Sequence, residues 1–243
     1  MPLITTRVVI LQTHRYSDTS KILRLMTREH GPRSAIARGA LRPKGRFGGL
    51  LEPFAEGTAT LYVKENRELH SLSGFDLLRA RQALAVDLDR FAGASVLSEL
   101  VLRLAPEHRD LPLYRALVAG LDHLLEVTRR EVPATSLLHI WHLVRLLGFR
   151  PELATCLACE RPIPVDSEVW FDFPAGGLRC PRCGRSGQRL SPAEAHTLRR
   201  LVSGEGDLPS DVAGQGTLLA QFVRYHLAEG TRLRSLSFLQ RLG

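Results

Sequence analysis

Along the first part of the chain apolar and polar residues alternate over short runs, and farther on the apolar positions recur every three or four residues. The first pattern predicts strands. Thr6–Leu11 is rich in β-branched residues, and Thr19–Thr27, Arg33–Arg38, Glu56–Val63 and Glu68–Phe75 continue in the same vein. His30-Gly31-Pro32 marks a tight turn between the second and third runs, and a glycine-rich, basic stretch from Gly39 to Pro53 separates the third from the fourth. Five short strands with no full-length helix between them suit a small closed barrel. The OB-fold is the best-known five-stranded version, and it binds oligonucleotides on one face.

The second pattern predicts helices from residue 81 onward. Ala83–Leu104, Leu113–Val127 and Thr135–Leu147 carry apolar residues at i, i+3, i+4 and i+7, and Pro106, Pro112 and Pro133 are assigned to the breaks. Ser191-Pro192-Ala193-Glu194 restarts a helix with a capping box and proline at its first position. A glycine-rich link from Ser203 to Gly216 leads to a helix over Thr217–Ala228 and a short last one over Arg234–Leu242. The expected class is therefore α+β. Residues 1–80 form an OB-fold barrel, 81–150 and 190–243 are two parts of an α-helical domain, and 151–189 is a module inserted between them.

That insertion holds every cysteine of the chain, Cys156, Cys159, Cys180 and Cys183, as two C-x2-C pairs with twenty residues between them. The spacing is that of a four-thiolate zinc site, in which two tight knuckles close on one tetrahedral ion. Two disulfides are the rival reading, which such close pairs disfavour in a chain whose N-terminus carries no secretory signal. Gly184 suits a knuckle because it takes positive φ without a steric cost, whereas Glu160 holds the matching place after the first pair. Four sulfurs fill the coordination shell, so the expected cofactor is one structural Zn2+ per chain.

Charge narrows the partners. The net charge is +8, and a polyanion is the expected partner. Between positions 21 and 46 stand Lys21, Arg24, Arg28, Arg33, Arg38, Arg42, Lys44 and Arg46 against a single acid, Glu29. Of these, Lys21, Arg24, Arg33, Arg38, Arg42, Lys44 and Arg46 are the candidate DNA-binding residues, with a solvated barrel surface as the plain alternative. Phe47 and Tyr16 could stack on bases, though barrel core is the commoner role for an aromatic here. No apolar run reaches the roughly 18 residues of a membrane span, and a cytoplasmic, nucleoid-associated protein is expected.

Enzymatic patterns are missing. There is no G-x-x-x-x-G-K-[ST] loop and no H-E-x-x-H, and no histidine begins the H-x-E of zinc deaminases. His139 and His142 lie one turn apart beside Trp141, with no third ligand evident. Gly45-Arg46-Phe47-Gly48 matches a KH-type GXXG only in letters, since strands flank it rather than helices.

Together these residues resemble the RecO family of bacterial recombination mediators over nearly the whole chain. The N-terminal likeness lies in Val8-Val9-Ile10-Leu11, Tyr16-Ser17-Asp18, Leu25-Met26-Thr27 with Gly31, and Arg38-Gly39. Its most specific part is Leu143 to Leu153 leading into Cys156 and Cys159, and Leu233 to Leu239 resembles the closing helix. Pro43 follows Arg42 where the family often has a small polar residue. The resemblance implies an OB-fold, a helical domain with a zinc module, binding of single- and double-stranded DNA, and annealing of complementary strands. It further implies partnership with RecR and with the single-stranded-DNA-binding protein through that protein's C-terminal tail. A zinc-ribbon RNA- or ribosome-associated factor is the alternative from another class, and a metal hydrolase a more distant one.

Overall fold

A computed structural model describes residues 2–43, 45–63, 67–184, 187–227 and 233–242, and the chain divides into two compact units, Met1–Leu125 and Glu126–Gly243. In the first unit, β1 (Leu3–Arg15), β2 (Lys21–Thr27), β3 (Gly31–Ala37), β4 (Glu56–Tyr62) and β5 (Leu69–Arg79) close into a barrel of order β1-β2-β3-β5-β4. All neighbours are antiparallel except β3 and β5, the pairing expected of the OB-fold. β1 is much longer than Thr6–Leu11. Its first half pairs with β4 over Leu3–Val9 and its second with β2 over Val8–Arg15, with a bulge between Ile10 and Gln12. Ladder hydrogen bonds hold its polar ends in the sheet, where burial alone would not.

Alternate residues point inward. Val8, Ile10, Leu23, Leu25, Ala35, Ala37, Ala59, Leu61 and Phe75 form the barrel core, joined by Phe47 and Leu51 from the long loop. The outward Val9 and Met26 are also fully buried, because a helix packs on β1 and β2. The barrel closes tightly where β4 crosses β5. A Cβ at Gly57 would stand 2.4 Å from Phe75 Cζ, so no larger residue fits without a shift of the sheet.

The helix expected over Ala83–Leu104 is two: α1 (Ala83–Val86) and α2 (Leu88–Leu104). Asp87 separates them in extended geometry, and its carboxylate accepts from the backbone N–H groups of Asp89 and Arg90 as an N-cap. Burial fixes α2, whose Val96, Leu97, Leu100 and Val101 are almost wholly covered. Helix α3 (Leu111–Glu126) begins one residue before Pro112, with Asp110 capping the Leu113 N–H at 2.9 Å. Pro133 likewise sits in the first turn of α4 (Val132–Leu146). These two prolines therefore do not break helices as expected. They open them, because a first-turn N–H has no intrahelical acceptor to lose.

In the second unit α4 is followed by a small antiparallel sheet absent from the sequence expectation: β6 (Val169–Asp172) between β7 (Gly177–Arg179) and β8 (Gln188–Leu190). Helix α5 (Pro192–Ser203) starts at the Ser191 capping box as expected, and Gly204 ends it in left-handed geometry. Helix α6 spans Gln215–His226, the expected end at Ala228 lying outside the described residues, and α7 spans only Leu236–Leu239, shorter than Arg234–Leu242. Trp141 of α4 lies 5.1 Å from Phe222 of α6, and Phe222 lies 6.0 Å from Phe171 of β6. These aromatic contacts bind helices and sheet into one core.

Candidate metal centre and nucleic-acid interface

The four cysteines converge. Their Sγ atoms all lie within 4.8 Å of one another, with Cys156 buried and the other three half-buried. Tetrahedral zinc with sulfur at about 2.3 Å sets neighbouring sulfurs about 3.8 Å apart, and Cys159 and Cys180 stand at 3.9 Å. A disulfide would need about 2.05 Å, and all four sulfurs are free. The donor set fits a metal ion.

Each knuckle is built by the backbone. The Glu160 N–H donates to the Cys156 carbonyl at 2.8 Å, and the Cys183 N–H to the Cys180 carbonyl at 3.1 Å. Gly184 has φ 124°, and Glu160 does adopt the left-handed region, φ 58°, at the matching turn. The first knuckle thus carries strain that glycine would relieve. The Cys180 N–H donates to Cys156 Sγ at 3.3 Å and ties one knuckle to the other. Burial pushes the Cys156 thiol up, but N–H groups of Cys180, Ala158 and Cys159 outweigh it and bring it down to about 6. Cys183 is pushed up to about 12, first by its hydrogen bonds with Cys159 and Cys180. A divalent cation favours the thiolate at all four.

The module is clipped in place by residues that sequence reasoning missed. Glu152 accepts from the N–H groups of Ala154 and Thr155, which holds its carboxyl below the usual carboxylate range. Arg199 of α5 donates to the carbonyls of Leu153 and Val165, on either side of the first knuckle. Its Nη2 is buried without a partner among the described residues, and burial lowers its pKa. Both partners are backbone carbonyls far from Arg199 in sequence, so no residue pattern announces them. The β6–β7 hairpin did leave a signal in Val169–Asp172 followed by Pro174-Ala175-Gly176-Gly177.

The basic residues of the barrel separate into two groups. Lys21 is held, donating to Glu52 Oε1 at 2.8 Å and to the Leu51 carbonyl at 3.2 Å. Arg33 is held too, with Nη1 on the carbonyls of Pro32 at 2.7 Å and Glu107 at 3.1 Å. Arg24 on β2 and the exposed Arg38 and Arg42 have no ion pair or side-chain hydrogen bond among the described residues. Arg46 is exposed and stands 4.9 Å over the ring of Phe47. Lys44 lies outside the described residues. Phe47 itself is 2% exposed and belongs to the core, while Tyr16 is 61% exposed. Gly45–Gly48 lies in a run of turns between β3 and β4. A further basic residue of this unit is spent inside the fold. Arg81, with φ 48° and almost fully buried, bonds Glu56 at 2.8 Å, Asp122 at 2.7 Å and the Phe54 carbonyl at 3.0 Å.

The two halves of the chain match two known families. Residues 1–81 match the one described as Recombination protein O N terminal, and residues 85–236 the one described as Recombination protein O C terminal. The DNA repair protein RecO of Symbiobacterium thermophilum is 33% identical, covering 100% of this chain and 98% of that protein. RecO of Geobacter sulfurreducens is 34% identical with 98% of each chain covered, and RecO of Chlorobium luteolum is 32% identical over 99% and 98%. Likeness of this extent, across barrel, helices and cysteine module alike, establishes that the chain belongs to the RecO family of DNA repair proteins.

Proposed function

We propose that this protein is a non-enzymatic recombination mediator that binds single- and double-stranded DNA and promotes annealing of complementary strands. The observation that carries this reading is the group of arginines, Arg24, Arg38, Arg42 and Arg46, left without acidic partners among the described residues on an OB-fold barrel and its long loop. Together with Lys44 they neutralise phosphates of the strands. Lys21 and Arg33, tethered to Glu52 and to backbone carbonyls, shape the barrel edge behind them and add field there. Lowering strand repulsion is enough for annealing, since pairing is itself downhill and needs no ATP.

On this reading residues 1–80 act as the DNA-binding OB-fold. The helical domain, 81–150 with 190–243, takes up the C-terminal tail of the single-stranded-DNA-binding protein, and RecR completes the assembly. Cys156, Cys159, Cys180 and Cys183 of the module at 151–189 hold one structural Zn2+, whose binding energy is folding energy. The protein works in the cytoplasm at the nucleoid, and among the described residues no helix is long and apolar enough to cross a membrane.

The test is fluorescence anisotropy on a labelled oligonucleotide across a salt series, followed by annealing of complementary strands with and without ATP. Four to six phosphate contacts give a slope of about −3 to −4 in log K against log salt. Annealing should track binding and ignore ATP. A salt-independent affinity, or annealing that requires ATP, would overturn the reading.

A further inference from the structure

We infer that the outer face of α6, with the adjoining Phe149 and Arg150, is a second contact for single-stranded DNA, and that Tyr225 is its base-stacking platform. The inference rests on the DNA-binding reading above but uses a different part of the chain. Helix α6 contains no acidic residue from Gln215 to His226. Its apolar side, with Leu218, Leu219, Phe222 and Val223, is spent on the core. What remains outward is Gln221, Arg224 and Tyr225. Tyr225 is 58% exposed although it stands in the last turn of a well-buried helix.

The ring has a fixed support. It lies 5.9 Å from His226, which in turn lies 4.6 Å from Phe222 and 6.5 Å from Phe149. His226 is itself pinned, with Nε2 at 2.7 Å from the Phe173 carbonyl. The cluster is anchored at His226, and the Tyr225 ring projects from its edge with its outer face open. Arg224 follows the same exposed face, and Arg150 extends from the residue beside Phe149. Both are exposed, and neither has an ion pair or side-chain hydrogen bond among the described residues, although the Arg150 charge also helps hold the Glu152 carboxyl down.

A π-face flanked by cations, on a helix that itself carries no acid, is the composition that single strands use without regard to sequence. A protein partner would want more apolar surface than one tyrosine ring offers. A duplex keeps its bases stacked and has none to lend. The occupant is therefore a single strand, contacted here through a base and its two flanking phosphates.

The experiment compares the full-length protein with Tyr225→Ala, Tyr225→Trp and Arg224→Ala on an oligothymidylate and on an abasic strand of equal length. Stacking on one aromatic is worth about fivefold or more in affinity. Tyr225→Ala should lose that much on the oligothymidylate and nothing on the abasic strand, Tyr225→Trp should keep the parent affinity, and the salt slope should stay put in both. Arg224→Ala should weaken binding to both strands and flatten the slope by about 0.7. Parent-like binding by Tyr225→Ala, or an equal loss on both strands, would sink the platform while leaving the barrel's role intact. Failure of the parent to bind either strand would sink both, and so tells the two failures apart.

Discussion

The cysteine module and the basic loop are both short stretches crowded with one kind of residue, yet they differ in what fixes their chemistry. In the module the four cysteines lie within a span of twenty-eight residues, and their Sγ atoms meet within 4.8 Å. Spacing already announces that they meet. In the basic stretch spacing decides nothing about which cations stay available. Lys21 is taken by Glu52 and Arg33 by the Glu107 carbonyl, thirty-one and seventy-four residues away, whereas Arg38 and Arg42 meet no such partner among the described residues. A metal site is a local property of sequence. A phosphate-binding surface is what remains after the fold has claimed its share of charge.

The largest effect should come from breaking the local half of that contrast. Cys156→Ser or Cys180→Ser should abolish tight zinc binding and unfold the module, since structural zinc in small modules supplies on the order of 10 kcal/mol. The barrel of whatever folds should still bind DNA. Metal analysis beside anisotropy reads both, and loss of DNA binding from a cysteine variant whose barrel stays folded would contradict the separation. Next in size is the charge test. Arg38→Ala/Arg42→Ala should flatten the salt slope by about 1.4, somewhat under one unit per contact. Lys21→Ala/Arg33→Ala should instead lower the melting temperature, with the slope changed far less. Equal slopes for the two double variants would erase the distinction between held and available cations.

Smaller again is the clip. Arg199→Ala should cost about 3 kcal/mol, at the low end for two long charge-assisted bonds, and hasten zinc transfer to a chelator without moving DNA affinity. The smallest effect concerns pH. His70 in the barrel unit is held below its usual range by burial and by Arg33, and His142 on α4 by burial and by Arg145. Each binds a proton less readily folded than unfolded. Their contribution to stability is full above pH 6.5 and is lost as pH falls from 6.5 through the lower folded values. Thermal melts between pH 7.5 and 5 should show the decline, and His70→Gln should reduce it.

Much of this was legible before any fold was known. Alternation announced the five strands, and the glycine-rich run announced the loop between β3 and β4. The capping box placed the start of α5 at Ser191. What escaped was tertiary. Asp87 looks like any helical residue until its carboxylate is seen turned back on Asp89 and Arg90. The module's sheet is built from strands of three or four residues, too short for a periodic signal. Arg199 and Arg33 act on carbonyl groups, which every residue carries and no side-chain pattern reveals.

Arg81 bears on how the molecule can be divided. The last strand of the barrel ends at Arg79, so a fragment cut after residue 80 would retain every strand and look complete. It would also keep Glu56, a 6% exposed carboxylate, and discard the guanidinium that answers it, along with Asp122 and the Tyr114 hydroxyl, 3.3 Å from Glu56. Such a fragment strips Glu56 of the guanidinium and hydroxyl that answer it and lays open the barrel face they cover. The smallest piece that leaves the barrel electrically whole runs on through α3, to about the end of the first compact unit at Leu125. The boundary drawn by topology and the boundary drawn by charge are some forty residues apart, and dissection of this protein should follow the second.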